Sequence, residues 1–383
     1  MAKKDDVWDV SVPVEENPSY WNEDPIYHQG AGLKSSKPTV VELFSGLGGF
    51  SQGFIQAGFE LAVGADIHQP SIESYKHNHP RAGTILGDLK KVPASKLKQF
   101  LDGLNPTVML AGVPCQGFSL SNRKRHDDDK RNELFRDFLR LAKVQKPQAI
   151  VIENVSGMRS ASGGEVVRNI SRAIEAELGL EVHVIFLNAS HFGVPQTRER
   201  LFFVGLPKGS KWEAPKPTHG PKGKFDVLTV RDAIGDLPPL AAGQSKTKYG
   251  KSPTSALAKK LRGKQDVLLN HEAPNHPQAT IDRIAATKPG APLYDSFRQR
   301  IRLSWELPSP TQVSGGIRAQ FQFGHPSQAR GLTIRERCRI QTFPDHIWVS
   351  GGLVQARVQT GNAVPPILAE QIAKSIIKAL RIS

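Results

Sequence analysis

Cysteine is nearly missing from this sequence: there are two in 383 residues, Cys115 and Cys338. Two thiols cannot build a disulfide scaffold or a four-thiolate zinc site, which points to a reducing compartment. No stretch approaches the roughly 18–20 uninterrupted apolar residues that a spanning helix needs. The opening Met1-Ala-Lys-Lys-Asp-Asp6 has no apolar segment of the kind secretion requires, so a soluble intracellular protein is expected. Negative charge is scarce except in one place. Lys and Arg total 51 against 36 Asp and Glu, a net +15. Residues 1–30 nevertheless hold seven acids (Asp5, Asp6, Asp9, Glu15, Glu16, Glu23, Asp24) and only Lys3 and Lys4 as bases. The remainder therefore carries about +20, and a folded chain so basic is expected to meet a polyanion, nucleic acid first.

Residues 1–37 read as an extension, interrupted by Pro13, Pro18 and Pro25 and dotted with Trp8, Tyr20, Trp21 and Tyr27. It is either an arm pinned to a domain by those aromatics or one that binds a partner. Beyond it, short apolar runs at 39–44, 61–65, 108–111, 149–152, 182–187 and 201–204 read as strands. Helical patterns lie between them: 132–144, with Leu134, Phe138, Leu141 and Ala142 on one face, and Glu165–Leu178. This alternation predicts an α/β domain with a largely parallel sheet. It stops near Leu206. Residues 207–328 are rich in Pro, Gly and Lys, with thirteen bases against four acids between Lys208 and Lys264, and form a second, smaller domain or long loops. Helical spacing returns at 333–342 and at 365–380, where Leu368, Ile372, Ile376 and Leu380 recur.

Several residues are placed for chemistry. Phe44-Ser-Gly-Leu-Gly-Gly-Phe50 follows the first strand and precedes a helix at 51–57, so it is either a tight connection or a turn whose N–H groups cradle a ligand. Its spacing is not that of an NAD fingerprint. Asp66 ends the second strand 20 residues after Gly46, where a carboxylate takes ribose hydroxyls, and Asp88 follows a third strand. Either acid alone reads more often as a helix cap or turn residue. The three features together favour a nucleoside-containing cofactor. Gly112-Val-Pro114-Cys115-Gln116-Gly117 puts a cysteine in a bent loop at the carboxyl edge of the sheet, the setting of a nucleophile, whereas Cys338 reads as a small buried apolar residue. Glu153 and Asn154 end another apolar strand, where a carboxyl can cap or can exchange a proton near neutrality. In Gln196-Thr-Arg198-Glu-Arg200, alternate residues of a strand share a face, so both arginines can point at one phosphate or carbonyl.

Taken in order, these elements resemble the DNA cytosine-C5 methyltransferases. The likeness runs through the glycine turn, Asp66 with Tyr75-Lys-His-Asn78, Asp88, Pro114-Cys115-Gln116, Glu153-Asn154-Val155 and Gln196-Thr-Arg198-Glu-Arg200. It closes with Arg330-Gly-Leu-Thr333-Ile-Arg-Glu336, Gln341-Thr-Phe-Pro-Asp345 and Gly361-Asn362-Ala-Val364. It covers 39–206 and 329–380, does not reach 1–37, and covers 207–328 only loosely.

The resemblance implies a Rossmann-like, S-adenosylmethionine-dependent methyltransferase: a mixed sheet with helices on both faces, plus a smaller irregular target-recognition domain. It implies a catalytic domain at 38–206 completed by 353–383, target recognition at 207–328 and a connecting helix and loop at 329–352. S-adenosylmethionine would lie against Phe44, Ser45, Gly46, Leu47, Gly49, Asp66, Ile67, Asp88, Leu89, Gly112, Pro114, Leu134, Asn362, Ala363 and Val364, leaving as S-adenosylhomocysteine. Phe44 would pack on the adenine, Asp66 would hold the ribose and Asp88 the adenine amino group. Cys115 would add to cytosine C6, making C5 enamine-like. Glu153 would protonate and hold the base, Arg200 would hold O2, and Arg198 would lie nearer the phosphates. No metal is needed. The base must be flipped out of double-stranded DNA, with Gln116, Ser119, Ser121 and Arg123 in a basic loop over it. Thr311, Gly315, Gly316, Arg318 and Arg330 would also contact DNA, and Arg298, Arg300, Arg302, Arg318 and Gln320 are candidate base readers. Most lysines of 208–264 are solvated or phosphate-facing. By the same analogy the protein is a bacterial or phage enzyme, a monomer on DNA, working alongside a restriction endonuclease. The alternatives are a tRNA cytosine methyltransferase and a catalytically silent DNA-binding protein.

Overall fold

A computed structural model describes residues 21, 23–32, 36–113, 132–314 and 322–382. Pro114, Cys115, Gln116, Ser119, Ser121, Arg123, Gly315, Gly316, Arg318 and Gln320 lie outside the described residues. Among the described residues, no helix is long and apolar enough to cross a membrane. The chain divides into two compact units.

The first unit comprises 19–192, 199–217 and 363–383. Its strands are β1 (Ile26–His28), β2 (Thr39–Leu43), β3 (Glu60–Asp66), β4 (Gly83–Leu86), β5 (Val108–Gly112), β6 (Ala149–Val155) and β7 (Glu181–Asn188), joined by β9 (Glu199–Leu206); β8 (Gln196–Thr197) belongs to the other unit. They form one sheet in the order β1-β4-β3-β2-β5-β6-β9-β7. The five central strands, β4-β3-β2-β5-β6, are parallel and rich in Val, Ile, Leu and Ala, as strands covered on both faces must be. β1 on β4, and β9 between β6 and β7, run antiparallel, which makes the sheet mixed.

Helices α1 (Gly49–Gln56), α2 (Gln69–Asn78), α3 (Ala94–Phe100), α4 (Asn132–Gln145) and α5 (Glu165–Leu178) cover the sheet with the C-terminal helix (Pro366–Leu380). Strand alternation decides which face each meets. Val41 and Leu43 share a buried cluster with Leu97 of α3, Phe138 and Leu141 of α4 and Ile174 of α5. Glu42 points the other way and meets Ser51 of α1. Three of the residues read from sequence as one face of α4, namely Phe138, Leu141 and Ala142, are buried, and Leu134 packs at the cluster's margin.

Two strands of this sheet were not among the apolar runs. β4 appears in sequence only through the acid that follows it, and β1 lies inside the stretch read as an extension. Three residues are too few to show a period, and β1 exists because β4 offers it an edge.

The second unit comprises 193–198 and 218–362 in its described part. It contains α6 (Val230–Ile234), α7 (Ala256–Arg262), α8 (Gln278–Ala286), α9 (Ile334–Ile340) and α10 (Leu353–Asn362). Short strands include β10 (Ile301–Arg302), β11 (Ser309–Pro310) paired with β8, and β12 (Phe323–Gly324) paired with β10. α9 starts at Thr333, whose side chain accepts from the Glu336 N–H while Glu336 reaches back to the Thr333 N–H. α10, read from sequence as part of a return to the first domain, belongs here. Arg337 Nε donates to Thr360 Oγ1 and Gln341 Nε2 to the Thr360 carbonyl, tying α10 to α9. The chain enters the first unit again at Ala363.

Candidate active site

The carboxyl edge of β2–β5 gathers most of the residues singled out for cofactor binding. β2 ends at Leu43, and the chain reverses through Phe44 (φ 56°), Gly46 (φ 51°) and Gly48 (φ 81°) before α1 begins. Only glycine enters this region without strain, which is why the turn is glycine-rich. Asp66 braces it. One carboxylate oxygen accepts from the Gly46 N–H at 2.7 Å and the other from the His68 N–H at 2.8 Å. Each oxygen keeps a second lone pair, so the same carboxylate can still accept from a hydroxyl. Asp88 stands one strand over, because Asp66 pairs in register with Leu86 and the Gly87 N–H donates to the Asp66 carbonyl at 3.0 Å. Asp88 Oδ1 caps the following turn through the Lys90 N–H at 3.0 Å.

A nucleoside cofactor fits this edge. A Cβ built on Gly46 would meet no described atom within 4 Å, so the turn faces open space. The buried Ser45 hydroxyl has no hydrogen-bond partner among the described residues. Ile67 and Leu134 are half-buried, while Leu47, Gly49 and Leu89 are buried. Ala363 and Val364 are buried at the return into the first unit, whereas Asn362 ends α10 in the second.

Glu153 occupies the same edge on β6, in register with Gly112 on one side and Phe202 on the other. Its side chain is 9% exposed, and Arg200 Nε approaches Oε1 to 2.7 Å. Arg200 also donates from Nη1 to the Glu199 carbonyl at 2.7 Å. Both partners are shielded from water, which strengthens their attraction over that of a surface pair. The carboxylate and guanidinium are therefore preassembled beside the strand end from which, three residues on, Cys115 follows in sequence.

Arg198 does not share the face of Arg200. The strand breaks between β8 and β9 at Arg198, which is 1% exposed and donates to the carbonyls of Gln312 (3.0 Å) and Gly361 (3.1 Å). It holds backbone rather than facing a phosphate. Arg330 likewise departs from the reading as a DNA contact: it is fully buried and forked on Glu336 at 2.9 and 2.7 Å. Burial alone would push the Glu336 carboxyl up, but the Arg330 fork holds it well below the usual carboxylate range. Arg302, a candidate base reader, instead caps α8 through the carbonyls of Ile284, Ala285 and Thr287. Arg298 is exposed, and Arg300 stacks over Phe297 with 4.5 Å between guanidinium carbon and ring centroid. The Thr311 hydroxyl donates to the Thr197 carbonyl at 2.7 Å. Gln312, beside it, is held by Gln196, and Gln196 by Gln341, a chain of buried amides that fixes this segment within the second unit.

One buried acid next to this edge was not singled out from the sequence. Glu42, central in β2, is 3% exposed and accepts from the Ser51 N–H (3.1 Å) and the Ser51 hydroxyl, with the Tyr75 hydroxyl at 3.3 Å. Burial pushes its carboxyl up to about 8, and the nearby Asp66 adds to the shift, against the hydrogen bonds from Ser51 and Tyr75. The signal was available: an acid in the middle of Val40-Val41-Glu42-Leu43 has to find partners inside the protein.

A family model described as C-5 cytosine-specific DNA methylase matches residues 38–378. The chain is 34% identical over 352 residues to the Type II methyltransferase M1.HphI of Haemophilus parahaemolyticus, covering 89% of this chain and 87% of that protein. It is 33% identical over 367 residues to the Type II methyltransferase M.DdeI of Desulfomicrobium norvegicum, covering 88% of each. A crystal structure described as a DNA modification methyltransferase encoded within an E. coli prophage superposes with a TM-score of 0.73 at 27% identity, covering 90% of this chain and 99% of that one.

Proposed function

Since the chain belongs to the C-5 cytosine-specific DNA methylases, we propose that it transfers a methyl group from S-adenosylmethionine to C5 of a cytosine flipped out of double-stranded DNA. The observation that carries this reading is the Glu153–Arg200 pair, with its 2.7 Å contact on the edge where β5 leads toward Cys115.

Cytosine C5 is a poor nucleophile. In the proposed reaction the Cys115 thiolate adds at C6, the ring electrons shift, and C5 becomes enamine-like. Glu153 holds the base at N3 and passes it a proton as the thiolate adds, neutralising the charge that the addition creates, and takes that proton back when Cys115 leaves. Arg200 holds O2, and its pairing with Glu153 keeps both groups oriented before the base arrives, so little reorganisation is needed when charge develops. S-adenosylmethionine, when bound, supplies an electrophilic methyl group on its sulfonium and leaves as S-adenosylhomocysteine. Phe44, Asp66 and Asp88 would hold its adenosine, and Gly46 and Gly49 would admit its methionine portion. Water then removes the C5 proton and Cys115 departs as thiolate, which restores the aromatic ring. Arg198 acts from behind by holding Gln312 and Gly361. The second unit chooses the DNA sequence, in a Type II setting with a companion restriction endonuclease and with the enzyme acting as a monomer.

The test is transfer of labelled methyl from S-adenosylmethionine to mixed-sequence duplex DNA, with tRNA and the Cys115→Ala protein alongside. Label in DNA that disappears with the alanine variant is the expected result. Label in tRNA alone would move the substrate to RNA. Cofactor binding with no transfer to either would leave a silent DNA-binding protein.

A further inference from the structure

β4 would be the edge of the parallel sheet, and its last residues lead into Asp88. An uncovered edge strand followed by a glycine is poorly held. Here residues 23–31, outside the stretch that the family model matches, cover it. β1 runs antiparallel to β4 with Ile26 opposite Leu86, so the residue before it, Pro25, stands level with Gly87. A Cβ on Gly87 would fall 2.9 Å from Pro25 Cα, and Gly87 has a φ of +148° that side-chain-bearing residues rarely adopt. Gly87 is thus clamped from two sides, by Pro25 and by its N–H bond to the Asp66 carbonyl. Lys91 Nζ, just past the Asp88 turn, donates to the Glu23 carbonyl at 3.3 Å.

The rest of the segment is anchored away from the turn. Tyr27 stacks edge-on to Phe100 of α3 with centroids 5.4 Å apart, and Lys96 Nζ lies 4.3 Å from the centre of the Tyr27 ring. The Ala31 N–H donates to the Pro80 carbonyl at 3.1 Å, and Gly30 sits against the backbone of Arg81 and Ala82.

We infer that residues 23–31 are a positioning strap for the adenosine end of the cofactor site, with Pro25 pressing on Gly87 to hold the Asp88 carboxylate in place. This rests on the proposed use of S-adenosylmethionine. The strap does not touch reacting atoms. It removes in advance the freedom of the Gly87–Asp88 backbone, which a ligand would otherwise have to order on binding.

The experiment compares full-length wild type with Pro25→Gly, which releases the clamp, and Tyr27→Ala, which removes the anchor; Tyr27→Phe is the conservative control. Calorimetry gives Kd for S-adenosylhomocysteine and for 5′-methylthioadenosine, which shares only the adenosine end. Hydrogen exchange follows the amides of residues 85–88. The strap predicts that both ligands bind Pro25→Gly and Tyr27→Ala about tenfold more weakly, the equivalent of ordering about one more backbone residue. The two ligands should lose affinity by the same factor, with faster exchange at 85–88 and with Tyr27→Phe close to wild type. In methyl transfer the change should fall on KM for S-adenosylmethionine and not on kcat. Pro25 lies outside the core, so that variant reports even if Tyr27→Ala unfolds. Unchanged affinity in the variants that fold overturns the strap alone. Failure of wild type to bind either ligand overturns the cofactor reading and the strap with it.

Discussion

Glu42 makes the stability of the first unit depend on pH in an unusual direction. Its carboxyl is buried on β2, surrounded by the Ser51 N–H, the Ser51 hydroxyl and Tyr75, and has no paired cation among the described residues. Folding raises its pKa from 4.5 to about 8, with burial the largest cause. Between those values the folded protein keeps a proton that the unfolded chain has lost. Stability from this group is therefore complete below pH 4.5 and is lost as the pH rises toward 8, at about 1.4 kcal/mol per pH unit. From pH 6.0 to 7.5 the loss amounts to about 2 kcal/mol. Glu42→Gln keeps the shape and removes the titration, so subtracting its unfolding free energy from that of wild type cancels every other titrating group. Urea unfolding followed by circular dichroism at the two pH values gives both numbers. The wild-type advantage over Glu42→Gln should shrink by that amount on going to pH 7.5. A gap that stays constant, or widens, would refute the claim that Glu42 is neutral in the fold.

Glu153→Gln should lower methyl transfer by about a hundredfold or more, the usual scale for losing a proton-transfer group, while Kd for S-adenosylhomocysteine, measured calorimetrically, stays near wild type. Glu336→Gln leaves the fully buried Arg330 with half its fork and should destabilise the second unit by about 3–5 kcal/mol in urea titrations, and Arg330→Met added to it should recover part of that loss. His325 is buried, and desolvation is the main cause that pushes its pKa down from 6.5 to about 4. Its contribution is present above pH 6.5 and is lost as the pH falls through 4, so unfolding midpoints of wild type should drop across that interval more steeply than those of His325→Gln. Binding of duplex DNA, if it rests on phosphate contacts as the charge implies, should weaken by at least roughly a hundredfold between 50 and 200 mM salt in a fluorescence anisotropy titration.

What could be read in the sequence was local. The turn 44–50, the helix Glu165–Leu178, the buried parallel strands and the acids at strand ends are each stated by a few neighbouring residues whose spacing matches one period or one turn geometry. The order of these elements along the chain was enough to point to the family. What tertiary structure alone decided concerns partners far apart. Two arginines separated by one residue on a strand look equivalent, yet Arg198 goes to carbonyls 114 and 163 residues away, and Arg200 goes to Glu153. Arg330 looks like a phosphate ligand until Glu336 and the Leu240 carbonyl enclose it. Residues 26–28 carry no pattern of their own and become a strand because β4 presents unpaired backbone groups. Glu42 keeps its proton because folding removes it from water. Hydrophobic period is a property of a segment, and sequence displays it directly. Burial of a charge and the identity of its partner are properties of a fold, since they exist only after distant parts of the chain have excluded the water between them.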